Sequence, residues 1–189
     1  MLYLLITIFY KSKFTIFWKK SMWICSYFAF LNIDYIFMYT KEEASLIRQK
    51  FWTVFGKYMQ PVPSTSGEKV NWVNYKTGIK GINFKLDADN NFAFVAIEFS
   101  LKDIEQQQKH FDCFVKLKKH FTKIAGKGWE ISQSYINENG NVVSIAIIEL
   151  QGIKIFRETD WPAIISFFKK NIIALDEFWN DWKPMFESM

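Results

Sequence analysis

The sequence predicts an α+β domain with three helices and a largely antiparallel sheet of four or five strands. Long segments repeat apolar residues at helical spacing, and shorter segments between them alternate apolar with polar residues as strands do. Turn-forming residues join neighbouring strand segments, which indicates hairpins and therefore antiparallel pairs. The predicted order is α-β-β-α-β-β-(β)-α. Helices that cover one sheet are a stable arrangement for a domain of about 150 residues.

The first helix is predicted over Lys41–Met59. Thr40 and Glu43 have the spacing of a capping box, in which each side chain accepts a hydrogen bond from the backbone N–H of the other residue. Pro61 limits the helix at its C-terminal end. The apolar stripe of this helix is predicted to consist of Ala44, Ile47, Phe51, Phe55 and Tyr58.

A β-hairpin follows, with strands at 82–86 and 92–101 on either side of a polar turn at 87–91. One face of the second strand is entirely apolar, and the other face is about half apolar. A strand with this pattern is expected at the centre of a sheet, covered on both sides.

The second helix is predicted over 103–124, with lysines on its solvent side. A second hairpin then joins strands at 129–136 and 142–150, and Asn139-Gly140 is a strong signal for its turn. Residues 153–156 form the optional fifth strand of the prediction.

The last helix is predicted to begin at Asp160, a residue type that favours the N-cap position, and to end near Lys183. Pro162 is tolerated in the first turn, whereas Pro184 is expected to stop the helix. The inward side chains are predicted to be Ile164, Ile165, Phe168, Ile172, Leu175 and Trp179.

Residues 1–37 differ in composition from the rest of the chain, since they contain no Gly, Pro, Glu, Val, Gln, His or Arg. They lack the basic start and the small-residue cleavage site of a signal peptide. The longest uncharged stretch before Asp34 has 13 residues, whereas a membrane span needs about 20. We therefore expect 1–37 to be a mis-annotated extension, with a membrane-associating segment or a genuine soluble extension as alternatives. We expect a single α+β domain over 38–189.

Charge and composition exclude several classes of site. The chain has a net charge of +5, of which residues 1–37 supply +3 through four lysines and one aspartate. The rest carries only +2, which is weak evidence for a nucleic-acid partner. Two cysteines exclude a cysteine-rich zinc site. His110 and His120 lie about 15 Å apart along one predicted helix, so they cannot share a metal ion. Without a phosphate-binding loop or a dinucleotide fingerprint, we expect no metal site and no small-molecule cofactor.

The most unusual segment is 69–80, which interleaves aromatic side chains with lysine and asparagine. Aromatic rings stack on bases and amines meet phosphates, so this composition is typical of a nucleic-acid contact surface. The candidate contact residues are Lys69, Trp72, Asn74, Tyr75, Lys76 and Lys80. The alternative is an irregular segment that Trp72 holds against the core.

Asp87, Glu98 and Lys102 form a second candidate site. Many nucleases place an aspartate on one strand and Glu-x-Lys on the next, where the carboxylates hold Mg²⁺ and the lysine helps to activate water. Here Ser100 stands where the lysine is expected, and Lys102 lies about 6–7 Å further along the strand. The alternative interpretation of Glu98 is a buried, hydrogen-bonded structural carboxylate.

Four segments carry a resemblance to a known family. They are MYTKEEASLIRQKFWTVFGKYMQPVPS (38–64), KVNWVNYKTGIK (69–80), LDADN (86–90) and DWPAIISFFKKNIIALDEFWND (160–181). In this order they resemble the bacterial DUF4268 family, a domain of unknown function, over 38–189. The resemblance implies a compact, cytoplasmic bacterial domain, and it supplies no catalytic residues. Related domains can stand alone or follow a restriction-endonuclease-like module, which associates the family with nucleic acid only indirectly.

These observations favour a binding or accessory module over an enzyme. The first hypothesis is a non-enzymatic module for nucleic acid or a protein partner, with no membrane partner unless residues 1–37 are genuine. The alternative is a divergent restriction-endonuclease-like nuclease, which would require Mg²⁺ at Asp87 and Glu98.

Overall fold

The computed structural model describes residues 39–189. Leu46–Met189 forms one compact unit, and residues 39–45 belong to a separate one. The predictions for residues 1–37 therefore lie outside the described residues. Within the described range, none of the helices has both the length and the apolar character that crossing a membrane requires.

Four α-helices and four strands make up the described part of the chain, together with one 3₁₀ turn. The helices are α1 (Lys41–Met59), α2 (Ile104–Lys116), α3 (Lys118–Ala125) and α4 (Trp161–Glu187). The strands are β1 (Ile82–Ala88), β2 (Phe92–Phe99), β3 (Glu130–Ile136) and β4 (Val142–Gln151). The α+β prediction is confirmed, with one helix more than expected.

Helix α1 has the predicted bounds, and its capping box forms. The backbone N–H of Thr40 donates to Glu43 Oε2 at 2.8 Å, and that of Glu43 donates to Thr40 Oγ1 at 3.2 Å. The predicted apolar stripe is wrong at Tyr58, which is 48% exposed, while Met59 is fully buried. Lys169 of α4 packs over the exposed Tyr58 ring, with Nζ 5.0 Å from the ring centroid.

The sheet is antiparallel throughout, in the order β1-β2-β4-β3. Strand β2 is central, as its pattern predicted. Both of its faces are buried: Val95 on one face and Ala96 on the other have no exposed surface. The turn between β1 and β2 is shorter than predicted, because Asp87 and Ala88 still pair with Phe94 and Ala93.

The predicted fifth strand at 153–156 does not form. Ile153 and Ile155 are buried there, but they lie in a turn segment that follows β4. The N–H of Ile155 donates to the carbonyl of Asp89 at 2.8 Å, so the segment is fixed to the β1–β2 turn instead of extending the sheet.

The core lies on one face of the sheet, where aromatic side chains of α1, α2, α3 and α4 pack against β2. Phe168 of α4 meets Phe51 and Phe55 of α1, with ring centroids 6.1 and 5.5 Å apart. Phe114 of α2 similarly meets Phe178 of α4 at 5.9 Å. The opposite face of the sheet contributes a smaller buried cluster, made of Ala96, Ile145 and Ile147 with Phe94 packed against it.

The predicted helix 103–124 is two helices, α2 and α3, separated at Leu117. The backbone there has φ −84° and ψ 0°, which departs from helical geometry and redirects the chain. The bend allows Phe114 of α2 and Phe121 of α3 to pack edge-on against each other and both against Phe178. Apolar periodicity was retained across the bend, so the sequence pattern could not reveal it.

Helix α4 was predicted to stop at Pro184. It continues past this residue to Glu187. Proline removes one hydrogen bond from a helix, a loss that burial further along can offset. Here Phe186 is 1% exposed, and its ring lies 5.1 Å from that of Trp179. Asp160 occupies the N-cap position, but its carboxylate accepts from the N–H of Lys154 instead of capping the helix.

Candidate binding groove

An open groove with a volume of about 490 Å³ lies beside strand β1. It is lined by residues 73–86, which comprise the loop before β1 and the first five residues of the strand. Three lysines line it, namely Lys76, Lys80 and Lys85, and no carboxylate does. None of the three forms an ion pair within the described part of the chain. The groove therefore presents unneutralised positive charge.

The two aromatic residues proposed as stacking platforms face the protein. Trp72 is 2% exposed, and its Nε1–H donates to the carbonyl of Val62 at 2.8 Å. The Tyr75 ring stacks on Phe84 with centroids 4.9 Å apart. A base cannot reach the face of Trp72, so the aromatic residues anchor the loop. This placement matches the alternative interpretation of the segment.

A buried carboxylate holds the loop to helix α4. Asp176 is 3% exposed and accepts two hydrogen bonds of 2.6 Å, one from the Tyr75 hydroxyl to Oδ1 and one from the Thr65 N–H to Oδ2. Burial raises the pKa of the Tyr75 phenol well above its usual value, and the bond to Asp176 and its charge add to the shift. Charge-assisted bonds of this kind are stronger than neutral ones.

The raised pKa of Tyr75 predicts a loss of stability in alkali. A group whose pKa rises on folding contributes stability below its unfolded pKa, near 10 for tyrosine, and loses that contribution as the pH rises further. We expect the difference in free energy of unfolding between the wild type and Tyr75→Phe to shrink from about pH 8 to about pH 11. Urea unfolding at several pH values measures this, and a constant difference would contradict the assignment.

Two further contacts fix the loop near the groove. The Nε1–H of Trp179 donates to the carbonyl of Thr77 at 2.8 Å. Gly78 has φ +85°, and a Cβ at this position would lie 2.7 Å from Lys183 Nζ. The positive φ favours glycine here whatever the space, since residues with a Cβ rarely adopt it. The groove is thus shaped by the protein before any partner binds.

The structure brings together only some of the predicted contact residues. Asn74, Lys76 and Lys80 are exposed and line the groove, and the half-buried Tyr75 lines it as well. Lys69 is also exposed but lines a separate, smaller groove of about 220 Å³ next to α1. Sequence reasoning missed Lys85, although its position on the polar face of a predicted strand directly after the segment could have indicated it.

The three residues of the nuclease hypothesis do not form a cluster. Asp87 pairs with Phe94 and Glu98 with Asn83, so the backbone positions of the two residues lie four residues apart along the sheet, about 13 Å. Lys102 lies beyond the end of β2 in an exposed segment.

Each of the two carboxylates contacts a side chain of the protein itself. Asp87 faces Arg48, with Oδ1 3.4 Å from Nη1. Glu98 is 6% exposed, and Asn137 Nδ2 lies 3.4 Å from its Oε2. Within residues 39–189, no group of three or more His, Cys, Asp or Glu side chains is placed to hold a metal ion. The geometry that two-carboxylate metal catalysis requires is therefore missing at these residues.

One family model matches most of the chain. The model described as "Domain of unknown function (DUF4268)" matches residues 47–183. The chain belongs to the DUF4268 family. The whole groove, 73–86, lies inside the part of the chain that matches DUF4268. No curated protein and no solved structure matches the chain. Any proposal of function for this DUF4268 domain must therefore come from its own geometry.

Proposed function

We propose that this DUF4268 domain is a non-enzymatic binding module that holds a negatively charged segment of a partner macromolecule in the groove 73–86. The observation that carries the proposal is the charge of the groove: Lys76, Lys80 and Lys85 line it without any carboxylate. Lysines that have no internal partner attract anionic segments and accelerate their association. The module would act in the bacterial cytoplasm, as the family resemblance implies.

The rigidity of the loop supports a binding role. Trp72, Tyr75 and Thr77 are each hydrogen-bonded to residues outside the segment, so Lys76 and Lys80 project from a fixed backbone. A preformed site loses less conformational entropy when it binds a partner than a mobile one does. The separation of Asp87 from Glu98 gives the nuclease alternative no comparable support.

Reversing the charge of two groove lysines should weaken binding. We expect Lys76→Glu with Lys80→Glu to lower the affinity for an anionic probe by at least about tenfold at low salt. Two probes are compared by fluorescence anisotropy with the full chain. One is an oligothymidylate of about ten nucleotides, and the other is a blocked peptide of about ten residues that alternates valine and glutamate.

The matched control reverses two exposed lysines of helix α3, Lys118→Glu with Lys119→Glu. It changes the net charge by the same amount but leaves the groove intact, so we expect binding close to that of the wild type. Equal losses in the two double variants would assign the effect to overall charge. Binding that is independent of Lys76 and Lys80 for both probes would overturn the proposed function.

A further inference from the structure

Strand β1 is an edge strand whose backbone groups alternate between β2 and the groove. At one end of the hairpin, the Ser100 N–H donates to the carbonyl of Gly81 at 2.7 Å; at the other end, the Asp89 N–H donates to the carbonyl of Phe92 at 2.9 Å. In an antiparallel pair, every second residue directs its N–H and C=O to the partner strand. The odd-numbered residues 81–89 thus face β2, and the even-numbered residues face outward.

The outward groups at the two ends of β1 are satisfied within the protein. The Ile82 N–H donates to the carbonyl of Ile79 at 3.2 Å, and the Ile82 carbonyl accepts from the Thr77 hydroxyl at 2.6 Å. At the other end, the Ala88 carbonyl accepts from Arg48 Nη1 at 2.9 Å, and its N–H donates to the side chain of Asp87 at 2.8 Å. Both ends of the edge are therefore closed.

The middle of the edge remains open. Among the described residues, no group meets the outward N–H and C=O of Phe84 or Leu86, and both residues line the groove. Two donors and two acceptors are thus presented one strand repeat apart, about 6.6–6.8 Å. Unpaired groups of this kind form a template for an added strand.

We infer that the partner segment is an extended acidic peptide, which adds to the sheet as a fifth strand beside Phe84–Leu86. The inference rests on the proposed function and names the class of partner. Main-chain hydrogen bonds to Phe84 and Leu86 supply the pairing, and glutamate or aspartate side chains meet Lys76, Lys80 and Lys85. The open groups span the three residues Phe84–Leu86, so the paired part of the peptide is equally short.

The outward backbone groups of β1 favour a peptide over a nucleic acid as the partner. Phe84 and Leu86 each present a donor and an acceptor, and a peptide strand has both in the same alternation. A phosphate backbone offers acceptors but no donors at this spacing, so the two carbonyls would stay unpaired. Trp72 is buried and the Tyr75 ring stacks on Phe84, so the segment presents little open ring face for the stacking that a single strand of nucleic acid uses.

The opposite edge of the sheet is less suited to strand addition. The register of β3 against β4 shifts between Ser132 and Tyr135, whereas β1 pairs regularly along its whole length. Bulges of this kind twist an edge away from further pairing.

A proline at position 86 tests the pairing. The Leu86 N–H does not face β2, so Leu86→Pro keeps the internal ladder, as proline does on edge strands. The substitution removes the outward N–H of residue 86 and puts the proline ring where an added strand would pair. We expect Leu86→Pro to weaken binding of the alternating valine–glutamate peptide by about tenfold. Leu86→Ala removes side-chain contacts but keeps the N–H, so its loss should be much smaller, and the difference between the two variants measures the contribution of the donor.

Modified peptides test the same point on the unaltered protein. One version carries N-methyl groups on every valine, and the other carries them on every glutamate. Because only alternate amides of an added strand face Phe84 and Leu86, one version should lose binding and the other should keep it. In the wild-type complex, the amide hydrogens of Phe84 and Leu86 should also exchange more slowly than in the free protein. Equal binding of both versions would overturn the inference.

The outcomes separate this inference from the proposed function. If the peptide binds with an affinity that depends on Lys76 and Lys80 but not on the N–H of Leu86, the strand pairing is wrong and the binding module stands. If oligothymidylate binds and the peptide does not, the partner is a nucleic acid and the inference fails. If neither probe responds to the lysine variant, both proposals fail.

Discussion

Replacing Phe168 by alanine is expected to lower the free energy of unfolding by about 3–5 kcal/mol. The side chain has no exposed surface, and its ring stacks on Trp52 with centroids 5.6 Å apart while packing edge-on against Phe51 and Phe55. Its removal leaves a cavity between α1 and α4 that these stiff rings cannot fill by small movements. The loss therefore includes a cavity term besides the lost transfer free energy.

Urea unfolding monitored by circular dichroism measures this change. Phe167→Ala is the matched control, because Phe167 is the neighbouring residue on α4 but is only partly buried. We expect its loss to be less than half of that for Phe168→Ala. Similar losses in the two variants would mean that the packing between α1 and α4 does not dominate the stability of this domain.

Asp176→Ala is expected to cost about 3 kcal/mol of unfolding free energy. The change leaves the Tyr75 hydroxyl and the Thr65 N–H without their acceptor, and both lie in a partly buried position where water replaces it poorly. The loop before β1 loses its attachment to α4, so we also expect weaker binding of the acidic peptide in the groove.

Asp181→Ala provides the control, because Asp181 is exposed on the same helix and its removal should change stability by less than about 0.5 kcal/mol. The double variant Asp176→Ala with Tyr75→Phe isolates the pair. It should be more stable than the sum of the single losses indicates, because it removes the phenol that the first change leaves unsatisfied. Additive losses would show that the hydrogen bond between the two side chains contributes little.

Part of the candidate site could be predicted from composition alone. The segment 69–80 stood out, and Lys76 and Lys80 do line the groove. The assignment of Trp72 and Tyr75 as contact residues followed from their residue types, but the same aromatic residues also serve as anchors in a core. Only the partners of the Trp72 Nε1–H and the Tyr75 hydroxyl distinguish the two roles.

Asp176 illustrates what a sequence pattern does not show. An acidic residue on a helix is normally expected to face solvent. The two hydrogen-bond partners of Asp176 are 101 and 111 residues away along the chain, so no local pattern indicates them. The open edge at Phe84 and Leu86 could not be predicted from the sequence either, because it depends on the strand order β1-β2-β4-β3. The two-sided apolar pattern of β2 indicates a central strand, but the pattern of β1 predicts only which of its side chains share a face and does not place β1 at an edge.

The sequence by itself determined the local elements of this protein. The capping box of α1, the two hairpins and the central position of β2 followed from short-range spacing, because helix and strand periodicities are set by backbone geometry. The tertiary structure decided the bend at Leu117, the continuation of α4 past Pro184 and the open edge of β1. Each depends on burial or pairing with residues distant in the chain, and such contacts override local preference.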